Sequence, residues 1–196
     1  MVSIFGKRDN VKAFWEWFAA NRSQLIGPAE PDERFISKCG AQLKTIHEGL
    51  VFVVDLQQAP PCFVVSADGD PELFPIVEDV VAKAPRFDDV GIVAFRQPGP
   101  TDVAIQFGDQ MLASASLWFE TAPLDGGISL TVYVPGLSDS DDDPLAQAAF
   151  MLTDNALGEA FMALGLTDLS FVPLPPNPAE RGLRPFTEIA KVFHVP

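Results

Sequence analysis

Two helices are predicted near the amino end of the chain, because apolar residues recur there at intervals of three and four. Asn10 is the expected N-cap of the first helix, and Trp17 lies off its apolar side. The second helix is predicted from Pro31 to Gly49. The apolar positions are Val11, Phe14, Trp15 and Phe18 in the first helix, and Phe35, Ile36, Cys39, Leu43 and Ile46 in the second.

The pattern then changes to short runs rich in β-branched residues. Strands are predicted over 50–56 and 62–66, joined by a tight loop, and over 90–95. A helix over 70–85 separates the last two, with Asp70 as its N-cap and Pro71 in its first position.

Three further segments, 103–107, 112–119 and 128–134, alternate between apolar and polar residues and predict strands with two distinct faces. Pairing Phe107 with Ala113 and Phe119 with Ile128 separates these faces completely. The apolar face contains Val103, Ile105, Phe107, Ala113, Ala115, Leu117, Phe119, Ile128, Leu130, Val132 and Val134. The polar face contains Gln106, Ser114, Ser116, Trp118, Ser129, Thr131 and Tyr133.

Four aspartates crowd into residues 139–143, just before a long apolar run. The alternating aspartates resemble a calcium loop, but Pro144 stands where such a loop needs Gly, and Phe150 where it needs Glu. Asp143 as N-cap and Pro144 in the first position instead predict a helix that continues to Gly165. Weak binding of a cation by the aspartates stays open as the alternative.

These elements predict an α+β fold. Its core is a mainly antiparallel sheet of five to seven strands, with helices at the amino end and a long C-terminal helix packed on one face. The last strand is expected over 169–174. One domain is expected over 1–196, with the Pro-rich stretch 172–185 as a surface strap.

The charge of the chain bears on its partners. It has 13 basic and 27 acidic residues, for a net charge of −14. Because such a field repels phosphate backbones and anionic lipids, neither nucleic acid nor a membrane is expected as a partner. A basic protein or a cation stays open as a partner, and the alternative is that the charge serves only to keep the chain in solution. Cys39 and Cys62 form no CxxC pair, and no leader or membrane-spanning run is apparent, so a reducing cytoplasm is the expected location.

The sequence offers little for catalysis. It has two histidines, His47 and His194, and lacks the glycine-rich phosphate loops and the serine nucleophile motif. No catalytic residue, metal or cofactor is therefore assigned. The alternative is a metal-assisted hydrolase using Asp68 and Asp70, with Glu48 as a possible third carboxylate. The same aspartates can equally form a turn and a helix cap.

The polar face of the predicted sheet is the better candidate for recognition. Trp118 and Tyr133, the only tyrosine, would project from neighbouring strands beside Ser116 and Thr131. Amphipathic rings offer apolar area and a hydrogen-bonding edge, which suits a binding surface. An ordinary solvent-facing surface, or one covered by a helix, is the alternative.

The segment 64–98 carries a distinctive pattern, made of the runs Val65–Gly69, Phe74-Pro75, Val77-Glu78, Ala84-Pro85 and Ala94-Phe95-Arg96. With this pattern the segment resembles an uncharacterised family of bacterial cytoplasmic proteins. Val65 departs from the usual Ile. The upstream "FWEWFAAN" and the later "LGEAFM" are similar to the family as well.

The resemblance implies an α+β fold and no particular activity. It draws attention to Asp68 and Arg96, the polar members of the motif, as candidate binding residues. We expect these two side chains to form an ion pair.

The sequence thus favours a non-catalytic protein-binding or accessory protein of the bacterial cytoplasm. The hydrolase is the alternative. A homodimer formed through the sheet or through Trp17 is a third hypothesis.

Overall fold

The computed structural model describes residues 9–26, 33–107, 110–138 and 143–193. The chain forms two compact units, Met1–Arg96 and Gln97–Pro196, and each is considered by itself below. The expectation of one domain over 1–196 concerns how these units associate, and it stays a prediction. Within the described ranges, no helix has the length and apolar character needed to cross a membrane.

In its described residues the amino-terminal unit combines three α-helices with a three-stranded sheet in the order β1-β2-β3. Strands β1 and β2 are antiparallel, whereas β2 and β3 are parallel and are connected through α3. The elements are α1 (Asn10–Asn21), α2 (Glu33–Lys44), β1 (Val51–Asp55), β2 (Cys62–Ser66), α3 (Phe74–Ala82) and β3 (Gly91–Ala94).

Phe63, on the central strand, lies at the middle of an aromatic core and is fully buried. Its ring contacts those of Phe14, Trp15 and Phe18 of α1, with centroid distances of 6.2, 6.4 and 4.7 Å. It also stacks on Phe52 of β1 at 5.2 Å. The predicted apolar stripe of the first helix is therefore confirmed, and it packs against the sheet.

The predicted helix ends need correction. The carboxylate of Asp9, rather than Asn10, caps α1 by accepting a hydrogen bond from the Lys12 N–H. Asn10 instead donates to the Thr45 carbonyl at 2.6 Å. Helix α2 ends at Lys44, five residues before the predicted Gly49, and the predicted start at Pro31 lies outside the described residues.

Asp70 caps as predicted, but it caps a 3-10 turn, Pro71–Leu73, which precedes α3. Pro75 explains the later start of the α-helix. Proline has no N–H and is tolerated in the first helical turn, and α3 begins at Phe74 so that Pro75 falls in that turn.

Trp17 and Cys39 both pack against other residues of the amino-terminal unit. Trp17 stacks on Phe35 of α2 with a centroid distance of 5.2 Å and an interplanar angle of 14°. Cys39 is fully buried, and burial raises the pKa of its thiol to about 12. Because the thiolate is the reactive form, this supports the interpretation of Cys39 as an inert core residue.

The described part of the carboxy-terminal unit contains two sheets and three α-helices. One sheet is the antiparallel pair β4-β5, and the other has the order β8-β7-β6-β9. The elements are β4 (Ala104–Phe107), β5 (Gln110–Ala113), β6 (Trp118–Leu124), β7 (Gly127–Val134), α4 (Pro144–Leu157), α5 (Glu159–Leu164), β8 (Leu166–Pro173), β9 (Arg184–Pro185) and α6 (Ile189–Phe193).

The α+β class is confirmed, but the single sheet of five to seven strands is wrong. The described strands form three small sheets, of three, two and four strands. Strand β8 runs parallel to β7, as β3 does to β2. In each case helical residues lie between the two parallel strands, and such a connection returns the chain in the same direction.

The predicted strand 112–119 is interrupted at Ser114–Ser116 by a 3-10 turn. Ser114 causes this break, because its hydroxyl accepts a hydrogen bond from the Val103 N–H at 3.0 Å and its carbonyl accepts from Leu117. Ser114 is therefore buried instead of lying on the polar face, and Ala115 is exposed instead of buried. The predicted pairing of Phe107 with Ala113 is also wrong, since Phe107 pairs with Gln110.

The pairing of β6 with β7 is shifted by four residues from the predicted one. Phe119 lies opposite Val132 rather than Ile128. Because four is an even number, the shift leaves each side chain on its predicted face. Five residues predicted on the apolar face are accordingly fully buried: Leu117, Phe119, Leu130, Val132 and Val134. Ile128, at the start of β7, is the exception and is half-buried.

Asp143 caps the helix after the aspartate run, as predicted. Its carboxylate accepts hydrogen bonds from the Leu145 N–H at 2.9 Å and from the Ser138 N–H and hydroxyl at 2.8 and 2.6 Å. These hydrogen bonds, first that of the Ser138 hydroxyl, lower the pKa of Asp143. The residues 139–142 lie outside the described part of the chain.

The predicted long C-terminal helix is two helices. Gly158, with φ of 77°, ends α4 and begins α5. Glycine permits this positive φ at no steric cost, and the chain changes direction there. The apolar side of α4 packs into the same core as β6 and β7 through Leu145, Ala148, Ala149, Leu152, Ala156 and Leu157.

The predicted strap 172–185 is only partly irregular. Its first two residues belong to β8, and its last two form β9, which pairs with β6. A 3-10 turn, Pro178–Arg181, lies between them.

Candidate functional site

The polar side of the four-stranded sheet carries a cluster of hydroxyl, aromatic and acidic side chains, which we term the hydroxyl face. Strand pairing places these residues in three rows that cross the sheet. The rows are Trp118, Tyr133 and Val172; Glu120, Thr131 and Ser170; and Ser129 with Asp168. Glu120 and Asp168 are exposed, and the other six are half-buried.

Hydrogen bonds between neighbouring strands hold these side chains in place. The Tyr133 hydroxyl donates a hydrogen bond to Oε1 of Glu120, its diagonal neighbour on β6. The Ser129 hydroxyl donates to Oδ2 of Asp168 at 3.0 Å. The Ser170 hydroxyl donates to that of Thr131 at 3.2 Å. Each carboxylate therefore has one oxygen held by a hydroxyl of β7.

The charges and hydrogen bonds of the hydroxyl face change the pKa of Tyr133. Its pKa is raised, first because its hydroxyl donates to Glu120, and then because of partial burial and the negative charge of Glu120. The positive charge of Arg181 opposes this rise. The neutral phenol is therefore the stable form at physiological pH, and it remains a hydrogen-bond donor.

The titration of Tyr133 tests this arrangement directly, because the chain contains one tyrosine. We expect the ultraviolet absorbance of ionised tyrosine to appear at a pH above the ordinary value of about 10. In Glu120→Gln the acceptor loses its charge, so the midpoint should move back toward that value. A wild-type midpoint at or below the ordinary value would contradict the Tyr133–Glu120 contact.

Some of the polar residues predicted from the sequence to share one face do so, and others do not. The structure brings Trp118, Ser129, Thr131 and Tyr133 together on the hydroxyl face. Ser116 lies in the 3-10 turn, where its hydroxyl donates to the Ala113 carbonyl at 2.7 Å, and is therefore outside the rows.

Sequence reasoning missed Glu120, Asp168 and Ser170. Glu120 continues the alternation of Trp118 by two residues, but the predicted strand ended at Phe119. Asp168 precedes the predicted last strand, and nothing in its local pattern indicates pairing beside β7. The alternation along β6 could have revealed Glu120. Asp168 and Ser170 reach the face only because β8 pairs with β7 after the crossover through α4 and α5.

The unit that carries the hydroxyl face holds most of the chain's excess negative charge. It contains 13 of the 27 acidic residues. Its basic residues number only three: Arg181, Arg184 and Lys191. The field around the face therefore favours a positively charged partner.

A second group of predicted residues meets in the amino-terminal unit, at the carboxyl ends of the parallel strands β2 and β3. Arg96 donates to the Ser66 hydroxyl at 2.9 Å and lies 3.5 Å from the Asp68 carboxylate, so the expected ion pair is confirmed. The Ser66 hydroxyl also accepts from the Asp68 N–H at 3.0 Å.

The backbone of this junction is unusual. Asp68 and Phe95 both have a positive φ, of 53° and 65°, and such a value is rare for a bulky residue. Phe95 is held there by a ring contact with Phe74 at 4.4 Å and by the hydrogen bond from its N–H to the Val65 carbonyl at 2.8 Å. We interpret the junction as a structural link between the ends of the two strands.

Asp68 and Asp70, the carboxylates named for a metal-assisted hydrolase, form local structural contacts at this junction. Asp68 pairs with Arg96, and Asp70 accepts from the Glu72 N–H at 2.9 Å. Among the residues that the structure describes, no group of three or more His, Cys, Asp or Glu side chains could hold a metal ion. His47 accepts from the Gly49 N–H at 3.2 Å, a local structural role, and His194 lies outside the described residues.

A depression of about 520 Å³ lies on the amino-terminal unit beside α1 and the end of α3. Trp15 and Pro85 line it together with charged side chains, including Lys12, Glu16 and Lys83. Lys12 pairs with Glu16 at 3.9 Å, and Lys83 pairs with Asp79 at 2.7 Å. Both lysines of the lining therefore have a carboxylate partner four residues away on their own helix or at its end.

Comparison with known proteins found no match to this chain among protein-family models, curated proteins or solved structures. The resemblance of segment 64–98 to a bacterial family therefore stays a prediction.

Proposed function

We propose that this chain is a non-catalytic accessory protein of the bacterial cytoplasm that binds a basic protein through the hydroxyl face. The observation that carries the proposal is the joining of Trp118 and Tyr133 with two exposed carboxylates on one face of the sheet. Aromatic residues of this kind contribute much of the binding energy in protein interfaces. The charge imbalance of the unit supports a basic partner over a neutral one.

The structure of the face also favours binding over chemistry. Its carboxylates are oriented by hydroxyl groups, as recognition requires, and Tyr133 stays a neutral donor. The sheet positions the side chains on rigid strands, which lowers the entropy lost when a partner binds. A protein with these properties would hold or mask a positively charged surface of its partner.

Affinity capture from a bacterial lysate tests the proposal. The immobilised chain should retain a basic protein that is released as the salt concentration rises. The double variant Trp118→Ala, Tyr133→Ala should lower the affinity for that protein by at least about 30-fold, since both aromatic rings of the face are lost.

The matched control is Phe150→Ala, which removes a ring that is 47% exposed on α4, away from the hydroxyl face. We expect this variant to retain the partner as the wild type does, and circular dichroism should show all three proteins folded. Equal retention by the double variant and the wild type would overturn the proposal.

A further inference from the structure

The two exposed carboxylates of the hydroxyl face differ in their surroundings. Glu120 lies in the row next to the one that contains Trp118 and Tyr133. Asp168 lies beside Ser129, beyond the Thr131 row. Each has one oxygen that accepts a hydrogen bond from a hydroxyl, and within the described residues Oε2 of Glu120 and Oδ1 of Asp168 have no hydrogen bond or ion pair.

We infer that the hydroxyl face is built to receive two arginine side chains of a basic partner, one at Glu120 beside Trp118 and one at Asp168. The inference rests on the proposed function and names the chemistry that the face selects. Charge complementarity carries it, because both receiving groups are exposed carboxylates in a unit with only three basic residues. One of these, Arg181, acts on the pKa of Tyr133, but within the described residues it forms no ion pair with either carboxylate.

The neighbouring rings favour arginine over lysine at Glu120. A guanidinium group is planar and weakly hydrated, so it can stack on an aromatic ring while its N–H groups bond a carboxylate. An ammonium group is compact and strongly hydrated, and it gains less from the ring. The Tyr133 hydroxyl holds one oxygen of Glu120, and Glu120 lies two residues from Trp118 on the same face of β6. Because alternate residues of a strand are about 6.8 Å apart, an arginine that bonds Glu120 can also reach the ring of Trp118.

The strand geometry sets the spacing between the two positions. Glu120 and Asp168 lie two strands apart across the sheet and one row apart along it. With strands about 4.8 Å apart and alternate residues about 6.8 Å apart, their Cα atoms are separated by about 12 Å. An extended peptide covers about 13 Å in four residues, so two arginines at positions i and i+4 would fit both carboxylates.

The test uses two peptides that differ only in having arginine or lysine at positions i and i+4. Binding to the full chain is measured by fluorescence anisotropy at low salt. We expect the arginine peptide to bind about 5- to 30-fold more tightly, and Trp118→Leu should abolish most of this preference. Glu120→Gln should weaken both peptides, whereas Glu78→Gln, which removes one exposed negative charge from α3, should change neither.

The outcomes separate the two proposals. Equal affinity for the peptides, or a preference that Trp118→Leu leaves intact, overturns the arginine inference even if face variants still weaken binding. If neither Trp118→Leu nor Glu120→Gln changes the affinity of either peptide, the hydroxyl face does not bind basic partners, and the proposed function falls with the inference. Glu120 is exposed, so its variant informs on binding even if Trp118→Leu perturbs the fold.

Discussion

Phe63→Ala should lower the free energy of unfolding of the amino-terminal unit by about 3–5 kcal/mol. Phe63 is fully buried, and its ring contacts four others, on α1 and β1. Removing it leaves a cavity that the surrounding rings cannot fill without leaving their own positions. The loss can be measured by denaturant unfolding followed by tryptophan fluorescence in a Trp118→Phe background. The remaining tryptophans, Trp15 and Trp17, both lie in this unit, and the ring of Trp15 contacts Phe63 at 6.4 Å.

Val53→Ala provides the comparison. Val53 lies on the neighbouring strand, opposite Val64, and is 41% exposed. Its truncation should cost about 1 kcal/mol or less, because little buried volume is lost. If Phe63→Ala cost no more than Val53→Ala, the aromatic cluster would not be the core of this unit.

Leu130→Asn should lower the free energy of unfolding of the carboxy-terminal unit by about 3–5 kcal/mol. Leu130 is fully buried on β7, within the core that α4 covers. The substitution removes apolar burial and places an amide where water cannot reach it, and the two costs add. Thermal and denaturant unfolding followed by circular dichroism would measure the effect.

The adjacent residue supplies the control. Thr131 points to the hydroxyl face and already takes part in a hydrogen bond with Ser170. Thr131→Asn should therefore cost about 1 kcal/mol or less, the range of strand preferences. Equal costs at the two positions would mean that the two faces of β7 have been wrongly assigned.

The separation of these faces could be predicted from the sequence even though the pairing was predicted wrongly. Alternation alone assigns Leu130 and Val132 to one side and Thr131 and Tyr133 to the other, and any even shift of pairing preserves that assignment. The correct pairing follows from the tight turn at Asp125-Gly126, between β6 and β7. An Asp-Gly pair is a strong hairpin signal, and Gly126 has the positive φ of 92° that such turns use.

Other errors arose where a side chain competes with the backbone or where pairing joins distant segments. Ser114 diverts the backbone into a turn by bonding to Val103, eleven residues earlier. Strand β8 joins β7 only after α4 and α5, so no local pattern in residues 166–173 shows that it is parallel. For the same reason the aromatic half of the hydroxyl face was predicted, whereas Asp168 and Ser170 were not.

The parallel placement of β8 has a consequence for how the hydroxyl face assembles. Trp118, Glu120 and Tyr133 belong to a hairpin with a two-residue turn, whose ends meet at little entropic cost. Asp168 and Ser170 join this hairpin only when β8 pairs with β7. That pairing brings together residues more than thirty positions apart in the chain, such as Ser129 and Asp168. Since long-range pairing is slow, the aromatic half of the surface is expected to form early in folding. The nascent chain would then present a single anionic contact point before the second is in place.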